Sequence, residues 1–254
     1  MTALGRAPIE PLPSPVAAEP DTRRTVAFIV GLAAILAFSV LRIVVGLGRH
    51  QPLPVDVWWN GLMTDTLSDV GLVTAWVPAI AGGTIGMIVI GLVLILLLLW
   101  RGRRGDAGTL AIAMVTVVAI GAPLAAVIAR VRPEDSLAER VATSFPSGHT
   151  AVATTVAIVL GLLLRRRSVW VIGIAWVLLM MWSRTYLHAH WLSDVVAGML
   201  EGVTVATLVW CAVEAARDRR ALRAVAASTA SPDPTVAPAP PTASAPRPKG
   251  SQSS

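Results

Sequence analysis

The amino-acid sequence predicts an all-α membrane protein, a six-transmembrane helical bundle with a polar site at the outer membrane interface. Three observations lead there. Hydrophobic residues make up 55% of the 254 positions and charged residues 14%, against about 45–50% and about 25% in an ordinary soluble domain. The mean hydropathy of +0.69 agrees. Six apolar stretches approach the about 20 residues that a helix needs to cross the hydrocarbon core. Finally, arginine clusters stand before the first stretch and after every second one, as a fixed membrane orientation requires.

Taken in order, residues 1–24 carry Pro8, Pro11, Pro13, Pro15 and Pro20 with Glu10, Glu19 and Asp21, and are expected to be a disordered cytoplasmic tail, not a cleavable leader. The membrane domain is expected over 25–225. Its first span is Val26–Leu47, broken only by Arg42, which is expected to snorkel to the headgroups. The second is Gly83–Trp100 and the third Gly108–Ala129, where Pro123 predicts a kink. The fourth runs from about His149 to Leu164, the fifth from Ser168 to about Trp182. The sixth, about Leu192–Val213, contains Asp194 and Glu201 and so cannot face lipid all round. Residues 226–254 hold seven prolines among Ala, Ser and Thr and are expected to be a second disordered tail.

Arg6, Arg23 and Arg24 precede span one, and Arg101, Arg103 and Arg104 separate spans two and three. Arg165, Arg166 and Arg167 separate spans four and five; Arg217, Arg219, Arg220 and Arg223 follow span six. With six spans all four clusters share one side, which the positive-inside rule makes cytoplasmic, together with both termini. The net charge of +6 is therefore mostly topological, and nucleic-acid binding loses its support. Three connections face the other way. Trp58, Trp59, Trp182 and Trp191 are expected near that outer interface, and Trp100 and Trp170 near the inner one. Asp56–Val70, in the first connection, reads equally as an interfacial helix and as an ordered loop.

The outer connections hold residues that spanning does not explain. One carries Arg130, Arg132, Pro146, Ser147, Gly148 and His149; another carries Ser183, Arg184, His188, His190 and Asp194. Three of the four histidines lie here. Arginines on the outer side run against the inside bias, and guanidinium forks match phosphate oxygens. Ser147-Gly148-His149 opens span four, where unpaired first-turn amides and the helix dipole favour an anion. Gly148 allows a close backbone approach, and Ser147 reads as an N-cap, an anion donor or both. His190 and Asp194, four apart, share a helical face, so that the carboxylate can fix the imidazole tautomer. His188 is expected to be a loop or supporting residue. Glu201 is expected to be a buried hydrogen-bonding side chain, and Gly198 and Gly202 a small-xxx-small packing pair.

Arg132-Pro133, Pro146-Ser147-Gly148-His149 and Ser183-Arg184 with His190 and Asp194 together resemble the three signature motifs of the type 2 phosphatidic acid phosphatase superfamily. The second and third motifs are complete, and the resemblance covers about Val70 to Glu214. It implies that His190 is a nucleophile forming a phosphohistidine, Asp194 its orienting partner and His149 the acid for the leaving oxygen. Arg132, Arg184, Ser147 and Gly148 would hold the phosphate, without metal or cofactor. The first motif departs from the pattern: its usual lysine falls on Ala125, and the one lysine of the chain is Lys249. Arg130 is preferred as the substitute over Arg140 and Arg42.

The expected activity is hydrolysis of a terminal phosphate from a lipid phosphate or diphosphate outside the cytoplasm. Polyprenyl diphosphate is favoured over phosphatidic acid or phosphatidylglycerol phosphate. Two alternatives remain, a lipid phosphotransferase using the same phosphohistidine and a non-catalytic lipid-binding protein of the same fold.

Overall fold

Helices carry the chain because apolar runs in lipid must satisfy their backbone groups internally. The computed structural model describes residues 21–138 and 143–230. These form α1 (Thr22–Leu47), α2 (Pro54–Asp65), α3 (Asp69–Ala81), α4 (Thr84–Trp100), α5 (Arg104–Ile128), α6 (Gly148–Leu164), α7 (Arg167–Tyr186) and α8 (Leu192–Ala230). One isolated antiparallel bridge pairs Val131 with Thr143. The chain divides after Glu214 into two compact units. The first holds α1 to α7 and the start of α8; the second holds the rest of α8.

Each boundary has a local cause. Asp21 caps α1, accepting a hydrogen bond from the Arg23 amide, so the helix takes in residues 22–24 of the expected tail. Pro54 begins α2, where its missing N–H costs nothing, and Asp56 accepts from the Leu53 amide at 2.9 Å. The connection around Asp56 is thus helical. Ser68 caps α3 through the Gly71 amide. Ala129 and Arg165 end α5 and α6 in the left-handed region. At its far end α8 continues to Ala230, past the boundary expected at 225. The greater parts of the two expected tails, 1–20 and 231–254, lie outside the described residues.

Among the described residues four helices are long and apolar enough to cross a membrane: α1, α5, α7 and α8. The α3–α4 pair, bent by 57° around Gly82-Gly83, makes a fifth candidate span. As a candidate span this pair takes in residues before Gly83, where the expected second span begins. The remaining expected span is α6. At 17 residues it rises only about 26 Å, short of the about 30 Å of the hydrocarbon core. It is also heavily enclosed, with Thr150, Ala151, Ala153, Thr154, Thr155, Val156 and Val159 all buried.

Small residues let α6 sit at the centre. A Cβ on Gly198 of α8 would collide with the Ser147 carbonyl, and one on Gly202 would lie 2.5 Å from the Ala151 carbonyl oxygen. The small-xxx-small pair is thus a close contact with α6. Thr155 adds a hydrogen bond to the Gly202 carbonyl at 3.4 Å. At the other end of α6, Arg103 donates to the Leu163 carbonyl at 2.9 Å and to Asp106 at 2.6 Å. Between these ends Leu110, Ala113, Val159, Ala206 and Trp210 pack into an apolar core. α3 lies against α7, and the Tyr186 hydroxyl joins them by donating to the Thr66 carbonyl and accepting from the Ser68 amide.

Candidate active site

The catalytic candidates come from the two connections that end at α6 and α8. Arg132 lies in the segment after α5, Ser147 to His149 open α6, Arg184 ends α7, and His190 immediately precedes α8. In the turn between α7 and α8 the Arg184 C=O accepts from the amides of Ala189 and His190 at 3.1 and 3.2 Å. That turn requires His188 to adopt φ +51°, a region non-glycine residues seldom occupy.

His190 is buried. Its Nδ1 lies 2.7 Å from the Ser144 carbonyl oxygen. A carbonyl only accepts, so Nδ1 carries the proton and Nε2 keeps its lone pair. Nε2 faces Arg132, whose Nη1 is 3.2 Å away and also donates to the Ala189 carbonyl. Burial holds the His190 imidazole well below the ordinary 6.5; the charges of Arg132, Arg184 and His149 push it the same way, and the Ser144 carbonyl opposes them. The proton on Nδ1 leaves Nε2 as the unprotonated nitrogen, on the side facing Arg132.

The direct hydrogen bond expected between Asp194 and His190 is not made, since Asp194 Oδ2 stands 3.9 Å from Nδ1. Oδ2 accepts instead from the Trp191 amide at 2.9 Å, and the Asp194 carbonyl accepts from the Ser147 amide at 3.0 Å. Asp194 therefore fixes the segment carrying His190 and joins it to the head of α6, while Ser144 holds the ring.

Arg130 requires a correction. The residue expected to grip phosphate is fully buried, and all five of its N–H groups are directed at protein acceptors. Nε reaches the His50 carbonyl, Nη1 reaches Ser193 Oγ and Asp194 Oδ1, and Nη2 reaches the Gln51 carbonyl and Asp56 Oδ2, at 2.6 to 3.3 Å. No donor remains for a ligand. Of the other candidates to replace the lysine, Arg42 is exposed on α1 and Arg140 lies outside the described residues.

The head of α6 is open. Gly148 is exposed, and a Cβ there would meet nothing within 4 Å. Ser147 is buried and accepts from the Thr150 hydroxyl at 3.2 Å, while the amides of the first turn lack intrahelical acceptors. His149 is half-buried and lies towards the α3–α4 break: a Cβ on Gly83 would stand 3.9 Å from its Nε2. His188 points away, with Nδ1 at 2.8 Å from Asn60 Oδ1 and 3.1 Å from Asp135 Oδ2, a supporting position. Glu201 is buried, but neither carboxylate oxygen meets a hydrogen-bond partner among the described residues. It presses on Gly121 of α5, so the hydrogen-bonding role expected for it is not seen.

Residues 106–218 match the model of the PAP2 superfamily. An undecaprenyl-diphosphatase of Sulfolobus acidocaldarius is 33% identical over 156 residues, covering 59% of this chain and 68% of the relative. The chain belongs to the PAP2 superfamily. It is a multi-pass membrane lipid phosphatase. Two solved structures share the fold. A transmembrane PAP2-type phosphatidylglycerolphosphate phosphatase from Bacillus subtilis aligns with TM-score 0.62 at 20% identity, over 70% of this chain and 93% of that one. LpxE of Aquifex aeolicus aligns with TM-score 0.55 at 22% identity, over 62% and 96%.

Sequence reasoning passed over Asp56, Ser144 and Ser193. Asp56 had a signal, an acid inside the apolar string Val55-Asp-Val-Trp-Trp. Ser144 acts through its carbonyl, which every residue has, so nothing in its side chain could have revealed it.

Proposed function

We propose that this PAP2 phosphatase hydrolyses the terminal phosphate of a polyprenyl diphosphate on the extracytoplasmic side of the membrane, through a phosphohistidine at His190. The observation that carries the reading is the His190 imidazole, with Nδ1–H on the Ser144 carbonyl and Nε2 turned towards Arg132. Nε2 attacks the terminal phosphorus, the N–P bond forms, and the P–O bond to the lipid breaks. His149 gives its proton to the leaving oxygen. A water oxygen then attacks phosphorus, its proton passes to His149, the N–P bond breaks, and inorganic phosphate leaves.

Arg132, Arg184, Ser147 and the Gly148 amide hold the phosphoryl oxygens, where preorganised donors stabilise developing charge best. The 33% identical relative named as an undecaprenyl-diphosphatase favours the diphosphate over phosphatidic acid and phosphatidylglycerol phosphate. With six crossings, α6 being the short one, the positive-inside rule would put the four arginine clusters inside and this site outside.

The test is phosphate release by the purified chain, without added acceptor, from polyprenyl diphosphate, phosphatidate and phosphatidylglycerol phosphate. The diphosphate should give the highest kcat/KM, and His190→Gln should abolish release. Release only when an alcohol acceptor is supplied would make the protein a transferase, and an active His190→Gln would end the nucleophile assignment.

A further inference from the structure

Arg130 reaches both groups that face the His190 Nδ1 edge. Its main-chain carbonyl accepts from the Ser144 amide at 2.8 Å, and the carbonyl of Ser144 is the acceptor for His190 Nδ1. Its guanidinium holds Asp194 Oδ1 at 2.6 Å, while the other oxygen of that carboxylate caps the Trp191 amide beside His190. The far side of the fork is fixed by Asp56 of α2 at 2.7 Å. Asp56 also accepts from the Ser193 amide and hydroxyl, both at 2.8 Å. Arg130, Asp56 and Asp194 are all fully buried.

We infer that Arg130, anchored by Asp56, is a positioning residue for the reaction: it sets the angle and distance of the His190 ring through Ser144 and Asp194 and never touches the phosphate. The inference rests on His190 being the nucleophile. Two features favour this over a purely structural ion pair. The guanidinium grips the carboxylate nearest the reacting ring, and the same residue's carbonyl sets the ring's own acceptor. It follows that α2, which carries none of the family's motifs, belongs to the catalytic apparatus.

The experiment uses the full chain in detergent with farnesyl diphosphate as substrate and inorganic phosphate as product inhibitor. Arg130→Met should lower kcat about 100-fold, the scale of a misplaced reacting group, while KM and the phosphate inhibition constant stay within about threefold of the parent because the fork meets no ligand. Arg130→Lys keeps the charge but not the fork and should recover little of the loss. Asp56→Asn, the milder change that decides the matter if Arg130→Met fails to fold, should lower kcat about tenfold, again with KM held.

The kcat–KM split is the readout that a purely structural role would not give: such a role would lower the melting temperature and leave the kcat of the folded enzyme in place. A raised KM and weaker phosphate inhibition at constant kcat would overturn the inference, because the fork would then be binding phosphate; so would an unchanged kcat. Acid-labile labelling of His190 by radioactive phosphate in the parent separates the two readings. Turnover without label overturns the nucleophile reading and this inference with it, whereas a labelled parent with an unaltered Arg130→Met overturns this inference alone.

Discussion

At the scale of single residues, the site is a solution to one electrostatic problem. In the proposed reaction a histidine nucleophile must stay neutral while cations close around it to receive phosphate. Here burial and the cations act together, and the lowered His190 value follows. The sign gives a prediction. An imidazole is nucleophilic above its pKa, so the acid limb of kcat/KM should fall well below pH 6.5; a limb at or above 6.5 in a steady-state pH series would contradict the burial seen here. His149→Ala should lower kcat about 10²–10⁴-fold, and a substrate with a better leaving group should suffer less, which a comparison with an aryl phosphate would show. The signature residues were legible because guanidinium and imidazole at fixed spacing have few other uses on an outer loop. The role of Arg130 was not legible. Sequence shows a cation in the right connection but not that Asp56, 74 positions earlier, consumes it.

At the scale of elements, α6 and α8 meet closely enough that the site's geometry depends on missing side chains. Gly198→Ala would drive a methyl into the Ser147 carbonyl. Such overpacking costs about 1–3 kcal/mol and would displace the head of α6, so both the melting temperature and kcat should drop. A variant that loses stability but keeps kcat would show that the head of α6 tolerates movement. Glu201→Gln should leave the melting temperature unchanged or raise it, since it removes a carboxylate whose oxygens have no partner among the described residues; a large loss on thermal unfolding would reveal one. The six apolar stretches were readable from composition, and most of their ends moved by only a few residues. α2 was half visible, because a short helix with Asp56 buried and Val57 and Trp58 exposed has the same composition as an ordered loop. The α3–α4 bend was hidden for another reason. Its cause is a Gly82-Gly83 break within an apolar run, which hydropathy averages away.

At the scale of the whole molecule, orientation rests on arginine counts in connections that carry little else. Cys211 is buried and can be replaced, which leaves a cysteine-free background for labelling. A cysteine at Leu137, an exposed position, should react with an impermeant maleimide from outside intact cells. One at Gly105, also exposed, should react only after the membrane is opened. The reverse pattern would put the site on the cytoplasmic face while leaving its chemistry as described.

The knot of Asp56, Arg130 and Asp194 also bears on how the molecule opens. Its members come from three distant parts of the chain, and removing one partner from a buried ion pair costs about 3–5 kcal/mol. Peeling α2 away alone would strand the buried Arg130 without its Asp56 partner, so small partial openings are disfavoured there. The amides of Leu53 and Ser193, both donors to Asp56, should therefore exchange their protons with solvent deuterium slowly and in step, as one cooperative unit. They are 140 residues apart in the chain but would share one exchange clock.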